Sequence, residues 1–200
     1  MRKYCRCSLQ QAPIAFRSPI AKCVQTQAKR VEPLVERLGV DIGGPVMASP
    51  NDLFFSDRYL DVPMVPGVRS SLSRLRSRFA AHIYLISTNI RRRPQALEIL
   101  QKHRILDLVG RDHVVMCDTD TAKANACREL GISHFVDDRI EVLELLVTVT
   151  RRYLFTRDSE AGTGSSLPSN TLWVSSWSAI ERDLLPASEG EAAAHDGVGD

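Results

Sequence analysis

Short runs of apolar and β-branched residues alternate along the middle of the chain with segments whose apolar residues recur every three or four positions. The short runs predict buried strands, and the longer spacing predicts amphipathic helices. The predicted strands are residues 38–42, 82–86, 113–117, 134–136, 153–155 and 171–174. Strands that alternate with helices are joined by right-handed crossovers. The pattern therefore predicts an α/β fold in three layers, with a doubly wound, mostly parallel sheet between two layers of helices.

Apolar stripes mark the helices between these strands. The stripes are Leu72, Leu75 and Phe79; Leu97, Leu100 and Ile105; and Leu143 with Leu146. A further helix over 122–130 is predicted to end at Gly131, because glycine suits the left-handed backbone that follows many helices. Ligands bind such sheets at the carboxyl ends of the strands, so the residues that follow each strand are the first candidates for function.

One domain with two extensions accounts for the length of the chain. The 200 residues are 44% hydrophobic, which is enough for a single core, and we place this domain at 34–185. Residues 1–33 are basic, with Glu32 as their first acid, and are typical both of an organelle transit peptide and of a disordered basic extension. Residues 186–200 predict a disordered tail. Residues 157–170 predict a long surface loop.

Charge and hydropathy exclude some classes of protein. The net charge is only +2, and no apolar run approaches the roughly 20 residues that cross a bilayer, so no membrane association is predicted. The arginines at 74, 76, 78 and 91–93 have acids such as Glu98 nearby and no aromatic platform, which favours a solvated helix face over nucleic-acid binding. The pattern says nothing about oligomeric state.

The cysteines bear on the cellular compartment. The five cysteines show no Cys-x-x-Cys spacing and no hydrophobic signal peptide precedes them, which favours a reducing environment. We therefore expect a cytoplasmic protein, or a mitochondrial or plastid one if the basic leader is a transit peptide.

Residues able to bind a phosphoryl group and a cation stand at strand ends or in the helix before the fourth strand. Phosphate contacts are predicted from Gly43, Gly44, Ser87, Thr88, Asn89 and Lys123. Hydroxyl and ammonium groups hold phosphoryl oxygens, and paired glycines let backbone amides approach an anion closely. Carboxylates from neighbouring strand ends suit Mg²⁺, a hard cation that prefers oxygen ligands. Such carboxylates are present at Asp41, Asp137 and Asp138.

Each of these residues also has a purely structural interpretation. The segment that begins at Asp41 can be a turn, and Lys123 can be a solvated side chain. Ser87 and Asn89 can cap the following helix, and the acidic pair can serve only as a helix cap. The functional interpretation is favoured because all of them occur together, in order, at predicted strand ends or in the matching helix.

In this order the segments resemble the haloacid dehalogenase (HAD) superfamily over about residues 34–185. The matching stretches are LGVDIGGPV, IYLISTN, DTDTAKANACRELG and HFVDDRIEVLELL. The resemblance implies that Asp41 is a nucleophile that becomes an aspartyl phosphate, that Ser87 or the adjacent Thr88 orients the phosphoryl group, and that Lys123 neutralises charge. It implies that Mg²⁺ is held by Asp41, Asp137, Asp138 and the backbone carbonyl of Gly43.

One position departs from the family's pattern. Gly43 stands where most phosphatases of the family carry a second aspartate, which acts as general acid and base. Such a group contributes about 10² to 10⁴-fold in rate, or roughly 3 to 5 kcal/mol of barrier. Its replacement predicts a slow or atypical enzyme. Asp52 and Asp57 are nearby acids that are candidates to substitute for it.

The segment 45–66 occupies the place where HAD proteins often insert a cap domain. It is too short for a separate domain, so we expect a minimal cap and an open site, with Phe54, Phe55 and Tyr59 at its entrance.

Three hypotheses follow. The first is a Mg²⁺-dependent HAD-like phosphohydrolase acting on a phosphorylated small molecule or macromolecule. The second is a catalytically impaired relative that binds a phosphorylated ligand or a protein partner, which Gly43 favours. The third is a doubly wound domain of another type, in which the acidic pair only caps a helix.

Overall fold

The computed structural model describes residues 35–48, 51–157 and 167–186. Within them six strands form one sheet in which every pairing is parallel. The strands are β1 Leu38–Val40, β2 Ile83–Ser87, β3 Val114–Met116, β4 His134–Asp137, β5 Arg151–Phe155 and β6 Thr171–Val174. All six overlap the predicted strands, so the predicted α/β fold class is confirmed.

The order of the strands across the sheet is β3-β2-β1-β4-β5-β6. The chain therefore adds β2 and β3 on one side of β1, and then adds β4, β5 and β6 on the other side. Val40 of β1 lies in register with Leu85 of β2 and with Val136 of β4. Consequently the carboxyl ends of β1, β2 and β4 meet at one edge of the sheet, on either side of the point where the strand order reverses.

Seven helices occur in the described residues. They are α1 Asn51–Phe54, α2 Val68–Phe79, α3 Arg93–Lys102, α4 Leu106–Val109, α5 Asp120–Glu129, α6 Ile140–Leu145 and α7 Trp177–Leu184. Because side chains alternate along a strand, neighbouring residues of β4 enter different cores. Val136 joins the cluster that contains residues of α2, α3 and α7, and Phe135 joins the cluster that contains residues of α5 and α6. These two apolar layers confirm the three-layer arrangement.

Two helix stripes end earlier than their spacing suggests. Helix α3 ends at Lys102, and Ile105 is buried beyond it, after the backbone turns at Arg104 with φ 58°. Leu146 is likewise the residue that follows α6. Both side chains still enter the cores because the chain turns back towards the sheet. The predicted end of α5 is confirmed by Gly131, which has φ 62°.

The segment 45–66 forms no compact unit of its own in the described residues, and its role as a minimal cap stays a prediction. Its described part contains α1, one turn of 3₁₀ helix at Tyr59–Asp61, and isolated bridges from Met47 to Gly43 and to Met64. Its start is anchored by α7, because the indole Nε1 of the buried Trp177 donates a hydrogen bond of 2.8 Å to the carbonyl oxygen of Pro45. The loop that follows β1 is therefore held by α7, the last helix within the described residues.

Several predictions fall outside the described residues. These are the basic segment 1–33, most of the tail 186–200 and the middle of the loop 157–170. They stay predictions. In the part of the chain that the structure describes, no helix combines the length and the apolar character needed to cross a membrane.

Candidate active site

The residues singled out in the sequence lie at the edge of the sheet where the strand order reverses. Asp41 follows β1, Ser87 is the last residue of β2, and Asp137 is the last residue of β4. These three strands are neighbours, so their carboxyl ends open into a common crevice, which is where open α/β sheets bind ligands.

Lys123 ties the first and fourth strands together. It lies on α5, whose start is fixed by the Thr119 side chain accepting a hydrogen bond of 3.1 Å from the Ala122 amide. Its side chain is fully buried, and its Nζ lies 2.5 Å from Asp41 Oδ1 and 2.7 Å from Asp137 Oδ2. The interpretation of Lys123 as a solvated side chain is therefore wrong.

A third carboxylate, Asp138, lies close to the two that contact this ammonium group. Asp41, Asp137 and Asp138 each offer an oxygen, and these oxygens lie within 4.8 Å of one another. Asp137 Oδ1 also accepts a hydrogen bond of 3.0 Å from the Arg139 amide, which fixes the orientation of that carboxylate. With one lysine among three acids, the cluster has two negative charges in excess when all are ionised. Oxygen ligands with that excess fit a hard divalent cation such as Mg²⁺.

Asp41 and Asp137 are buried, Asp138 is exposed, and the three acids repel one another. Burial raises the pKa of Asp41 to about 7, and Asp137 adds to the rise while Lys123 opposes it. Burial and the adjacent Asp137 raise the pKa of Asp138 to about 6. Burial works to lower the pKa of Lys123, but the carboxylates of Asp41 and Asp137 outweigh it and the pKa is raised. A bound cation would relieve this repulsion.

Glycine at position 44 makes room for the cluster. Gly44 has φ +84°, and a Cβ built there would lie 2.2 Å from Asp138 Oδ2. Gly43 differs, because a Cβ there would meet only Asp41 Oδ2, at an ordinary 3.6 Å. The first glycine of the pair therefore tolerates a side chain, and the second does not.

Gly44→Ala is expected to destabilise the fold by about 2 kcal/mol, from the strain of an L-residue at positive φ and the displacement of Asp138. Unfolding in urea measures the loss, and Mg²⁺ titration measures the accompanying loss of metal affinity. Gly43→Ala is the matched control, with an expected change in unfolding free energy of about 0.5 kcal/mol or less. Equal losses in the two variants would contradict the placement of Asp138 against Gly44.

A cleft of about 390 Å³ opens above the cluster. Its floor contains Asp41, Gly43, Gly44, Ser87, Thr88, Asn89 and Asp138. All the residues predicted to contact phosphate, apart from Lys123, therefore line one cavity. Lys123 and Asp137 lie beneath this floor, fully buried. The Asn89 side chain makes no hydrogen bond that caps the following 3₁₀ turn, so the capping interpretation does not account for it.

The entrance matches the prediction in part. Phe54 and Phe55 line the cleft. Tyr59 does not, since its hydroxyl donates a hydrogen bond of 2.5 Å to Glu98 outside the cleft. Asp52 and Asp57 are exposed and also lie outside the lining. The structure thus gives no support to either acid as a substitute for the aspartate that is missing at position 43.

The comparisons with known proteins bear on the fold. No protein-family model matches the sequence, and no curated protein does. The crystal structure of a dehalogenase aligns with 74% of this chain and 96% of its own, with a TM-score of 0.52 and 11% identity. The chain therefore shares an α/β fold with that dehalogenase. A de novo designed Rossmann 3x3 protein solved by NMR aligns with 76% of this chain and 96% of its own, with a TM-score of 0.40 and 12% identity.

The cleft also contains residues that the sequence pattern does not predict. Arg139 and Arg157 line it, together with Met47 and Met116. Arg139 follows the acidic pair and is paired with Asp120. Arg157 comes shortly after β5, so the strand-end rule applied to the fifth strand would have found it.

The third hypothesis, in which the acidic pair only caps a helix, fits the geometry poorly. Helix α6 has Arg139 as its N-terminal flanking residue, and that residue makes no side-chain capping bond. Asp137 instead bonds to the Lys123 ammonium and to the Arg139 amide. The pair is thus engaged with the cluster at the sheet edge.

Proposed function

We propose that the protein is a Mg²⁺-dependent phosphohydrolase of the HAD type that works through an aspartyl phosphate on Asp41. The observation that carries the proposal is the convergence of Asp41, Lys123, Asp137 and Asp138 at a cleft that Asp41, Asp138 and Ser87 line. These residues come from separate strands and a helix. A helix cap or a turn needs no such convergence.

The residues present fit the cation that this chemistry requires. Asp41, Asp137, Asp138 and the backbone carbonyl of Gly43 would hold Mg²⁺. When bound, it would neutralise charge on the phosphoryl oxygens, which is the main demand of phosphoryl transfer.

The chain's own residues have distinct parts in the reaction. The Asp41 carboxylate, which lines the cleft, attacks phosphorus as the bond to the leaving oxygen breaks. The hydroxyl of Ser87 or Thr88 and the backbone amide of Gly43 donate hydrogen bonds to the phosphoryl oxygens. The Gly44 amide instead donates to the carbonyl oxygen of Met47. Lys123 holds Asp41 in position through its contact with Oδ1. Water then attacks phosphorus, which releases inorganic phosphate and regenerates the Asp41 carboxylate.

A second candidate function is binding without turnover. Gly43 favours it, because that position lines the cleft and carries no acid to protonate a leaving group. The ligand would again be phosphorylated, either a small molecule or a group on a partner protein, held by the same hydroxyls and amide.

Asp41→Asn separates the two functions. With 4-nitrophenyl phosphate and Mg²⁺, the variant is expected to lose at least about 10³-fold in kcat/KM, since removal of a nucleophile abolishes the covalent route. Asp118→Asn is the matched control, because Asp118 is an exposed acid near the end of β3 that does not line the cleft, and its rate should equal that of the wild type. Mg²⁺ binding without hydrolysis of any phosphate ester would contradict the enzyme and favour the binder.

A further inference from the structure

The cleft has an apolar side as well as a polar floor. Phe54, Phe55, Met47 and Met116 line it together with the acids and hydroxyls. A phosphoryl group alone would not bind to such a surface, because its oxygens need hydrogen-bond donors. The apolar side is therefore suited to the part of the substrate that leaves.

The two phenylalanines offer an aromatic surface. Their ring centroids lie 5.4 Å apart, with the ring planes at 76°. The guanidinium of Arg92 lies 5.2 Å from the centroid of the Phe55 ring, which helps to hold a ring that remains 48% exposed. A flat aromatic group in the cleft would cover exposed apolar area and make favourable ring contacts. This geometry favours an aromatic leaving group over a small polar one.

No proton donor suited to the leaving group lines the cleft within the described residues. The ionisable residues of the lining are Asp41, Asp138, Arg139 and Arg157. The two aspartates belong to the proposed metal cluster, where a bound cation would favour their ionised, acceptor-only form. Arginine does not release its proton in proteins. Position 43 lines the cleft but is glycine.

Without a donor among the described lining residues, the leaving oxygen departs as an anion. A phenol, like the tyrosine side chain, has a pKa of about 10. An aliphatic alcohol is closer in acidity to water, whose pKa is about 15.7. A phenolate is therefore a far better unassisted leaving group than an alkoxide.

We propose that the substrate is a phosphate monoester of a phenolic oxygen, with its aromatic ring against Phe54 and Phe55; this inference rests on the proposed function. A bond forms between phosphorus and an Asp41 carboxylate oxygen while the bond from phosphorus to the phenolic oxygen breaks. The electron pair of the broken bond stays on the phenolate, which takes its proton from water. Hydrolysis of the aspartyl phosphate then consumes one water and releases inorganic phosphate.

Phenyl phosphate and benzyl phosphate provide the direct test, since both carry the same ring and differ in the acidity of the leaving oxygen. The wild-type protein with Mg²⁺ is expected to favour phenyl phosphate by about 10² to 10⁴-fold in kcat/KM, the range that a missing general acid accounts for. Values within a few-fold of each other would overturn the inference and leave the proposed function standing. Failure to hydrolyse even 4-nitrophenyl phosphate would overturn the proposed function itself.

A second comparison distinguishes the two sources of such an ester. A phosphotyrosine peptide that exceeds phenyl phosphate in kcat/KM assigns the substrate to a protein side chain, and equal or lower values assign it to small aryl phosphates. Preference for the matching phosphoserine peptide over both would overturn the inference.

The contact between Phe55 and the substrate ring can be tested separately, through KM. Phe55→Ala is expected to raise KM for phenyl phosphate about five- to tenfold, while the inhibition constant of inorganic phosphate stays the same. Phe55→Tyr retains the ring and should restore the wild-type KM. A KM for Phe55→Ala equal to that of the wild type would contradict a contact between Phe55 and the aromatic ring of the substrate.

Discussion

Replacing Gly43 with aspartate is expected to raise kcat/KM for benzyl phosphate by about 10² to 10⁴-fold, because it supplies a general acid where the leaving oxygen departs. The structure has room for the change. Gly43 is exposed to the cleft, and a Cβ added there meets only Asp41 Oδ2 at 3.6 Å. Initial rates with benzyl and phenyl phosphate measure the effect. The gain should be smaller for phenyl phosphate, whose leaving group needs little protonation.

Gly43→Asn is the control for this gain. Asparagine has nearly the same shape as aspartate but is no acid, so the variant should keep the low rate of the wild type. An equal gain in both variants would attribute the effect to shape or hydrogen bonding. No gain from aspartate, in a variant that still folds and binds Mg²⁺, would contradict the role given to position 43.

Lys123→Met is expected to destabilise the protein by about 3 to 5 kcal/mol when Mg²⁺ is absent. The variant leaves Asp41 and Asp137 buried beside each other without the ammonium group that both contact. Methionine has a similar length, so little space is lost. Added Mg²⁺ should restore part of the lost stability by replacing the missing positive charge. Urea unfolding with and without Mg²⁺ measures both effects.

The loss should also depend on pH. An aspartate in an unfolded chain titrates near pH 3.9, whereas burial raises the pKa of Asp41 to about 7 in the folded protein. The folded state then binds a proton more tightly, so the free energy of unfolding falls as pH rises from about 4 to about 7. Lys123 opposes this pKa shift, so in the variant the pKa of Asp41 should rise further and the free energy of unfolding should continue to fall above pH 7.

Lys102→Met is the control for Lys123→Met, because Lys102 lies at an exposed helix end. Lys102 is half exposed and lies 4.0 Å from Asp61, and exposed pairs contribute about 1 kcal/mol or less. Equal effects at positions 102 and 123 would contradict the burial of the Lys123 ion pairs.

The layout of the fold could be predicted because each strand carries a strong local signal. The run from Ile83 to Ile86 and its counterparts are apolar on both faces, as strands covered by helices on both sides must be. The positions at which strands end are harder to predict from the sequence than the strands themselves. The signal for the first strand extends to Ile42, but regular pairing ends at Val40, after which the chain turns into the loop that carries Gly43 and Gly44.

The site could be predicted as a set of residues but not as a geometry. Sequence order identified Asp41, Lys123 and the acidic pair. It did not show that Lys123 is buried, because that depends on how α5 lies on the sheet. Tyr59 was misplaced for a similar reason, since its position is set by a hydrogen bond to Glu98, which is 39 positions away. Contacts between residues distant in sequence leave no local pattern.

The hydrogen bond from Trp177 to the carbonyl of Pro45 has a consequence for biosynthesis. The residues of the cleft are all translated by position 157, but the loop after β1 gains this anchor only when α7 is made, 132 positions after Pro45. Domains begin to fold while the ribosome is still adding residues. A nascent chain that stops short of α7 can therefore carry every cleft residue and still lack the brace that holds its first loop.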